Sequence, residues 1–417
     1  MKRKQTSRRQ LRSARLSKAA APRRTVVRDL ALSVYLPTFI SEIGIGATLP
    51  LFALSALSIG EPATVASLAV ALYSGGRMIG SAWGGALASN RGPIPASFLS
   101  YGVLAIGAIM CALADTVLVL SLGVTLLGIG HAGVHVARQA HVDTLAPAHA
   151  RARALTTMAG VWRIANFIGP FAGAGLIHRY GLESGYVFAA VTVVIGVIVL
   201  VVTAPRHLRI AKADRQRFTM RAVLAPQMKV LSTLGVGVLL LGAVRQARVA
   251  VIPLWAESVG LSDSAISVVF GIATAVDMAL FIPAGYVMDR WGRVWTAVPS
   301  ALFLGAGAAA LPFTHGFLQV AAASFLVGFG NGWGSGVVMT LGADAAPEQG
   351  RAVFLGAWSI LQDVGGALGP AVLAAGAAIA LPVGFFAVGG VGAAAAGTLY
   401  RFVPRSHGRA EPALPAS

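Results

Sequence analysis

Apolar residues come in long runs along most of the chain, and short polar stretches separate these runs. Each run has about 20 residues, the length that an α-helix needs to cross the hydrocarbon core of a bilayer. The runs fall near residues 30–56, 63–88, 94–113, 117–140, 153–177, 184–204, 230–256, 264–288, 295–312, 317–341, 353–378 and 382–402. The pattern predicts an all-α membrane protein with twelve transmembrane helices.

The second half of the chain repeats the first half at an offset of 200 residues. Glycines, prolines and one arginine recur in register, at Gly128 and Gly328, Gly130 and Gly330, Pro147 and Pro347, Arg151 and Arg351, Gly169 and Gly369, and Pro170 and Pro370. Duplicated six-helix units are a common plan of secondary transporters. We therefore expect two pseudo-symmetric six-helix bundles at residues 30–204 and 230–403. A linker at 205–229 joins them, and tails cover 1–29 and 404–417.

The composition agrees with a membrane protein. Hydrophobic residues make up 56% of the chain and charged residues 12%, against about 25% charged residues in soluble domains. The net charge of +18 is typical of nucleic-acid binding, but its distribution argues against a nucleic-acid partner. Lys and Arg number 11 in residues 1–28 and seven in 205–229. This asymmetry follows the positive-inside rule and predicts a multi-pass inner-membrane protein with both termini in the cytoplasm.

A short charged turn follows the eighth apolar run and carries Gly285, Asp289, Arg290, Gly292 and Arg293. This pattern resembles the G-x-x-x-D-R-x-G-R loop between the second and third helices of each half in the major facilitator superfamily. The first half carries a degenerate copy, with Ser89, Asn90 and Pro93 at three of the matching positions.

A second motif points to a group within that superfamily. Gly169, Pro170 and Gly173 resemble the fifth-helix GPxxG motif of the twelve-helix drug–proton antiporters. The resemblance covers about residues 30–403 and implies alternating access. Members of that group usually carry an arginine before the Gly-x-Gly of the fourth helix, where this chain has Val124.

Ionisable residues inside membrane helices are costly and mark functional sites. Here they are Glu42, Arg77, His131, His135, Arg138 and Arg163 in the first half, and Arg245, Arg248, Asp277 and Asp363 in the second. The charge is inverted between the halves, because Arg77 aligns with Asp277 and Arg163 with Asp363 at the offset of 200 residues. Aligning the first helices on Pro50 and Pro253 also places Glu42 opposite Arg245. In the superfamily's architecture helix 2 meets helix 11 and helix 5 meets helix 8. The resemblance therefore implies two ion pairs between the bundles, Arg77–Asp363 and Arg163–Asp277.

Glu42 is the single acid inside the membrane in the first half. It is a candidate proton carrier, together with Asp277 and Asp363, because a desolvated carboxylate exchanges protons readily. An ion pair with Arg77 that holds Glu42 ionised is the alternative, and a contact with substrate is the third.

Substrate-binding candidates lie on four helices. His131, His135 and Arg138 share one helix face through their i, i+4, i+7 spacing. Two histidines at i, i+4 can chelate a metal, but no third ligand lies near them, so we expect no metal site. The other candidates are Arg245, Arg248, Asn331, Trp333 and Gln362, although Trp333 can equally serve packing alone.

Charged residues at the cytoplasmic loops form a candidate gate. They are Asp143, Arg151, Asp289, Arg290, Arg293, Asp344 and Arg351. The alternative for Arg293 and Arg351 is that they are ordinary positive-inside anchors.

The sequence predicts a transporter without a cofactor, because no Walker-type phosphate loop is present. We expect a monomer in membrane lipid that exports an amphipathic small molecule in exchange for protons. Uptake or exchange of an organic anion is the alternative. A membrane receptor or enzyme is a remote one.

Overall fold

The computed structural model describes residues 23–147, 150–203, 223–347 and 350–404, and these residues are helical almost throughout, without a β-strand. The first half contains eight α-helices, numbered α1 to α8: Arg23–Leu30, Leu36–Thr48, Leu51–Ser58, Ala63–Arg91, Pro93–Ala112, Val117–Leu145, Arg151–Tyr180 and Ser184–Thr203. The second half contains seven, numbered α9 to α15: Met228–Ser258, Asp263–Trp291, Val294–Ala310, Phe317–Trp333, Val337–Ala345, Arg351–Ala377 and Leu381–Phe402. A π-helical turn, Ala31–Tyr35, joins α1 to α2.

Each of the twelve predicted segments coincides with one of these helices or a consecutive pair. The first predicted segment is broken between α2 and α3, and the tenth between α12 and α13, where Gly336 has a φ of +78°. Among the described residues, nine helical segments are long and apolar enough to cross a membrane. The segments α4, α7 and α12 fall short, since the first two are more polar and α12 ends after 17 residues. The helical membrane fold is therefore present, and the count of twelve spans stays a prediction.

The predicted tails and linker lie mostly outside the described residues, at 1–22, 204–222 and 405–417. Where the structure does describe them, they are helical. The helix α1 begins at Arg23, inside the predicted tail. Before α9, a 3-10 turn at Ala225–Gln227 leads into a helix that starts at Met228, inside the predicted linker.

The two halves pack their helices in the same order. In the first half α4 and α5 pack on α6, and α2 packs on α7 and α8. In the second half α10 and α11 pack on α12, and α9 packs on α14 and α15. The halves meet where α4 packs on α14 and α7 packs on α10. These are the second segment with the eleventh and the fifth with the eighth, as the superfamily resemblance implied.

Paired glycines let the helices cross at the same points in both halves. A Cβ on Gly128 would collide with the backbone of Tyr73, and a Cβ on Gly328 would collide with the backbone of Ala273. Small residues at such crossings are what allow membrane helices to approach closely. Gly328 and Ala273 lie 200 residues after Gly128 and Tyr73. The duplication seen in the sequence is therefore also a duplication of helix packing.

Replacing Gly128 or Gly328 with alanine should destabilise the protein. Overpacking at a tight contact costs about 1–3 kcal/mol, which exceeds the ~1 kcal/mol that alanine gains in helix propensity. Gly102 on α5 is the matched control, because a Cβ there would meet no atom within 4 Å. Thermal unfolding in detergent should place the Tm of Gly128→Ala and Gly328→Ala below wild type and that of Gly102→Ala at or above it. Equal Tm values for all three variants would contradict this packing.

Candidate functional site

The polar centre of the first half is built around Glu42 on α2, whose side chain is 1% exposed. Arg138 donates from Nη1 to Glu42 Oε1 at 2.7 Å, and His131 Nε2 lies 3.1 Å from Glu42 Oε2. Arg138 also donates from Nη2 to Ser41 Oγ at 2.5 Å and to the Tyr101 hydroxyl at 2.7 Å. Such additional hydrogen bonds are what make a buried ion pair tolerable. Glu42 is therefore held as an ionised, fully partnered carboxylate.

His131 connects this ion pair to Arg77 on α4. Its Nδ1 lies 2.5 Å from the Tyr73 hydroxyl and 3.4 Å from Arg77 Nη1. Arg77 can only donate, so Nδ1 has to accept, and Nε2 then carries the proton that it donates to Glu42. The geometry thus assigns one neutral tautomer to His131, and the ring bridges a carboxylate and a guanidinium.

The second half contains a matching bridge around Asn331 on α12. Asn331 Nδ2 donates to Asp277 Oδ2 at 2.7 Å. Arg245 Nε donates to Asn331 Oδ1 at 3.2 Å, and Arg245 Nη2 donates to the Asn331 carbonyl at 2.7 Å. The amide therefore joins a carboxylate to a guanidinium, as His131 does in the first half.

We call these two sets the bridged triads: Glu42–His131–Arg77 and Arg245–Asn331–Asp277. His131 and Asn331 are 200 residues apart, and so are Arg77 and Asp277. The charges at the two ends are exchanged between the triads. A neutral group that both donates and accepts can serve either polarity, which explains how the halves tolerate the inversion.

In the part of the chain that the structure describes, one ion pair crosses between the halves. Arg163 Nη1 on α7 lies 3.0 Å from Asp277 Oδ1 on α10, and the two side chains are 16% and 14% exposed. Arg163 Nη2 also donates to Ser335 Oγ, at the break between α12 and α13. The guanidinium lies 4.5 Å from the Phe281 ring. The structure thus brings together the Arg163–Asp277 pair that was predicted, and it ties that pair to the triad of the second half.

The other predicted pair, Arg77–Asp363, is absent from the described residues. Arg77 instead hydrogen-bonds to His131 and lies 6.0 Å from the Tyr73 ring. The physical reason is that His131 and Tyr73 offer acceptors and a π-face within the same bundle, while Asp363 lies on the opposite bundle. Asp363 is left without a hydrogen bond or an ion pair among the described residues.

The predicted basic stripe on α6 does not form a substrate surface. His131 and Arg138 are 4% and 5% exposed, and both turn toward Glu42. Arg138, rather than Arg77, is the arginine that pairs with Glu42. His135 is half-buried, and its Nε2 lies 3.0 Å from Gln139 Nε2. In this structure, pairing with Glu42 therefore buries two of the three stripe residues.

The remaining binding candidates do not lie together: Arg248 is near the polar centre of the second half, and Trp333 is not. Arg248, one turn beyond Arg245 on α9, lies 5.6 Å from the Phe270 ring and near Asp277 and Arg163. Trp333 lies elsewhere, since its indole donates to the Trp295 carbonyl at 2.9 Å and stacks on Phe329. Gln362 is half-buried on α14 and makes no side-chain hydrogen bond among the described residues. In this structure Trp333 therefore packs against Trp295 and Phe329, as the packing alternative expects.

The gate candidates form separate contacts rather than one network. Arg151 Nε lies 3.1 Å from Asp143 Oδ1, and Arg293 Nε lies 2.9 Å from Asp344 Oδ2. Arg290 donates to the Tyr286 hydroxyl at 2.6 Å. Asp289 is exposed, and the side chain of Arg351 lies outside the described residues. The two exposed ion pairs occur one in each half, and exposed pairs contribute about 0–1 kcal/mol each.

Metal binding finds no support in the described part of the chain, where no group of three His, Cys, Asp or Glu side chains comes together. His131 is already committed to Glu42 and Tyr73, and His135 to Gln139. The i, i+4 histidines therefore do not act as a pair.

Comparison with known proteins decides the family. The sequence profile of the Major Facilitator Superfamily matches residues 32–243 and 234–416. The chain belongs to this superfamily. It is a multi-pass membrane transporter of small molecules and not an enzyme.

Curated relatives of this chain are named multidrug resistance proteins. The multidrug resistance protein MdtL of Salmonella dublin is 24% identical over 271 residues, which cover 63% of this chain and 69% of MdtL. The Salmonella typhimurium protein of the same name is 23% identical over the same length. Both agree with the resemblance to drug–proton antiporters.

Solved structures show the same fold at low identity. The nucleoside transporter NupG has a TM-score of 0.71 at 14% identity and covers 89% of this chain and 97% of its own. A POT family transporter in complex with 5-aminolevulinic acid has a TM-score of 0.72 at 12% identity, with coverage of 91% and 96%. At these identities the likeness concerns the fold alone.

Sequence reasoning missed the neutral partners of the charged residues. Tyr73, Ser41 and Tyr101 complete the hydrogen bonds of the first half, and Ser335 completes those of Arg163. Two of them carried a usable signal: Tyr73 precedes Arg77 by one helical turn, and Ser41 is adjacent to Glu42. Tyr101 and Ser335 carried none, because their contacts depend on how the helices pack.

Removing either partner of the Arg163–Asp277 pair should destabilise the transporter strongly. Stranding a buried charge costs about 3–5 kcal/mol, and removing both partners costs much less. A double-mutant cycle with Arg163→Ala and Asp277→Ala, followed by thermal or chemical unfolding, should give a coupling energy above about 1 kcal/mol. Arg163→Ala with Asp363→Ala is the matched cycle and should be additive, because no contact joins these two side chains among the described residues. The assignment fails if the first cycle is additive or the second is strongly coupled.

Replacing the bridging amide should also lower stability. Asn331→Leu leaves Asp277 and Arg245 without their shared partner, and unsatisfied buried polar groups cost about 1–3 kcal/mol each. The matched control is Gln362→Leu, which removes an amide that bonds to nothing among the described residues. Unfolding midpoints measured in the same detergent should fall for Asn331→Leu only. A comparable drop in both variants would mean that stability depends on having any polar side chain at this depth and not on the Asn331 bridge.

Proposed function

We propose that this chain is a secondary active transporter that exports a small amphipathic compound across the cytoplasmic membrane in exchange for protons. It works as a monomer in the lipid bilayer, through alternating access of two six-helix bundles, with both termini in the cytoplasm. Membership of the superfamily and the multidrug resistance relatives support export. The cytoplasmic placement of the termini rests on the basic residues of the N-terminal tail and the linker.

The proton-coupling proposal rests on a difference between the three acids inside the membrane: two of them are in ion pairs and the third is not. Glu42 is paired with Arg138, and Asp277 is paired with Arg163. Asp363 has neither a hydrogen bond nor an ion pair among the described residues, and it is half-buried. An unpaired carboxylate facing a polar interior can take up and release a proton without first breaking an ion pair. Asp363 is therefore the coupling residue that we propose, in preference to Glu42 and Asp277.

The position of Asp363 suits that role. It lies on α14, the helix that packs on α4 of the other bundle, and it interacts electrostatically with Arg77. A proton on Asp363 changes the charge at the seam between the bundles, and so changes the energy difference between two states that separate them. The electrostatic interaction between Arg77 and Asp363 then changes with the protonation of Asp363.

Contacts between the halves support alternating access. Phe171 of α7 lies against Gly271 of α10, and Ser74 of α4 lies beside Gly366 of α14. These contacts lie toward the ends of the helices that we place outside the cell. This arrangement fits a state open to the cytoplasm, in which Arg163–Asp277 holds the bundles together at mid-depth.

The candidate gate would act in the other state. Two exposed ion pairs, Asp143–Arg151 and Arg293–Asp344, each stay within one half here. Closing the cytoplasmic side would bring these loops together, with Asp289, Arg290 and Arg351 available for new pairs. Their individual contributions are small and screened by salt, so they bias the cycle rather than drive it.

Asp363→Asn should abolish proton-driven transport and spare exchange. The test uses proteoliposomes with an acidic lumen and two fluorescent dyes, cationic ethidium and anionic carboxyfluorescein. Proton antiport should accumulate dye in the lumen, and a protonophore should stop it. Asp363→Asn should lose accumulation yet retain dye exchange without a gradient, because the substitution removes the proton site and no ion pair.

Two further arms separate the alternatives. Glu42→Gln should lower the Tm, because it strands Arg138, whereas Asp363→Asn should leave the Tm near wild type. Accumulation only with an alkaline lumen would favour uptake of an organic anion with protons. Full accumulation by Asp363→Asn would remove Asp363 from the coupling role.

A further inference from the structure

The polar centre of the second half holds more positive than negative charge. Arg163, Arg245 and Arg248 lie within electrostatic range of one another and of a single carboxylate, Asp277. Asp277 already pairs with Arg163 and accepts from Asn331. Among the described residues, Arg245 bonds only to the neutral Asn331. Two guanidinium charges are thus left without a carboxylate, in a region where an uncompensated charge is expensive.

Three buried donor atoms in the same region have no acceptor among the described residues. They are Arg248 Nη1, Arg163 Nε and Trp162 Nε1. The Trp162 ring lies 6.0 Å from the Arg163 guanidinium. Arginine and tryptophan side chains donate hydrogen bonds and accept none. The centre is therefore rich in donors and short of acceptors.

The first half carries a smaller excess of positive charge. Glu42 accepts from both Arg138 and His131, and the Arg138 donors reach Glu42, Ser41 and Tyr101, except for Nε. Arg77 is the second guanidinium there, and it lies beside His131 and Tyr73. Among the described residues Arg77 contributes no buried donor without a partner, so the shortage of acceptors is greater in the second half.

We propose that Arg245 and Arg248 form a binding site for an anionic group, a carboxylate or a phosphate, on the compound that the transporter moves. The two side chains are three residues apart on α9 and so share one helix face. Guanidinium groups bind carboxylate and phosphate oxygens through paired hydrogen bonds. Phe281, half-buried beside Arg163, supplies apolar surface for the rest of an amphipathic molecule.

The site also lies at the contact between the bundles. Arg163 belongs to the first half, and its charge contributes to the same donor-rich region. An anion bound there competes with Asp277 for Arg163, the one ion pair that joins the halves among the described residues. Binding therefore weakens the contact that holds this state, which is how a substrate gains different affinities for two states. This inference rests on the proposed function, since it names the substrate class of that transport.

Ligand binding to the purified transporter in phosphatidylcholine nanodiscs tests the site directly. The probes share one aromatic body and differ in the polar group: phenylacetate, phenyl phosphate, phenethylammonium and 2-phenylethanol. We expect the two anions to bind and the cation and the alcohol to bind far more weakly. Tighter binding of phenylacetate assigns the site to carboxylates, and tighter binding of phenyl phosphate assigns it to phosphates. Equal or tighter binding of the neutral or cationic probe overturns the proposal, as does no anion binding.

Variants of α9 identify the residues. Arg248→Gln should weaken anion binding by about thirtyfold or more, since it removes a desolvated charged contact. Arg248→Lys should restore only part of the affinity, because an ammonium lacks the paired donors. The matched control is Lys229→Gln, which removes one exposed charge from the same helix and should change affinity within about twofold. Wild-type affinity in Arg248→Gln overturns the assignment.

Stability separates a binding role from a structural one. Arg248 has no hydrogen-bond or ion-pair partner among the described residues, so the ligand-free Arg248→Gln protein should unfold at or above the wild-type Tm. A structural arginine would lower the Tm when removed, and that result would also overturn the proposal. Transport tells the two hypotheses apart. Dye accumulation without anion binding would contradict only the anion site. Anion binding without dye movement under a pH gradient would contradict only the proposed function.

Discussion

Every charge inside this bundle has to be compensated without help from bulk water, and that constraint organises the polar centre. A guanidinium or carboxylate at mid-membrane is stable only when a partner of opposite charge or a chain of hydrogen bonds meets it. Glu42 and Asp277 are the two acids around which such partners gather. The helices that carry those partners are the ones that pack together, so compensation of charge and packing of helices select the same arrangement.

The duplication preserves backbone contacts more strictly than it preserves charge. Gly128 and Gly328 make equivalent crossings, because any side chain there collides with the neighbouring backbone. At the bridged triads the two halves keep positions but exchange signs. That exchange is possible because His131 and Asn331 each donate through one atom and accept through another. A steric constraint fixes the residue type at a single position. The electrostatic constraint applies to the total charge of a group of side chains, and different residues can give the same total.

Much of the fold could be predicted from the sequence, because hydrophobic length, glycine repeats and basic loops are local signals. The Arg163–Asp277 contact was also predictable, since the superfamily resemblance supplied the helix neighbours and the two residues have opposite charges. Arg77–Asp363 met the same criteria, but in this structure Arg77 hydrogen-bonds to His131 within its own bundle. Competition between partners depends on side-chain reach in three dimensions, which spacing along the chain does not encode. The same limit hid Tyr101 and Ser335.

The inversion of charge leaves the two halves unequal in what they can still bind. In the first half Arg138 adds one cation beside Glu42, and Glu42, Ser41 and Tyr101 accept hydrogen bonds from it. In the second half Arg163 and Arg248 add two cations beside Asp277, and Arg248 Nη1 and Arg163 Nε have no acceptor among the described residues. The second group therefore gains most from a ligand of negative charge. Because one of its arginines comes from the opposite bundle, that ligand also acts on the contact between the bundles.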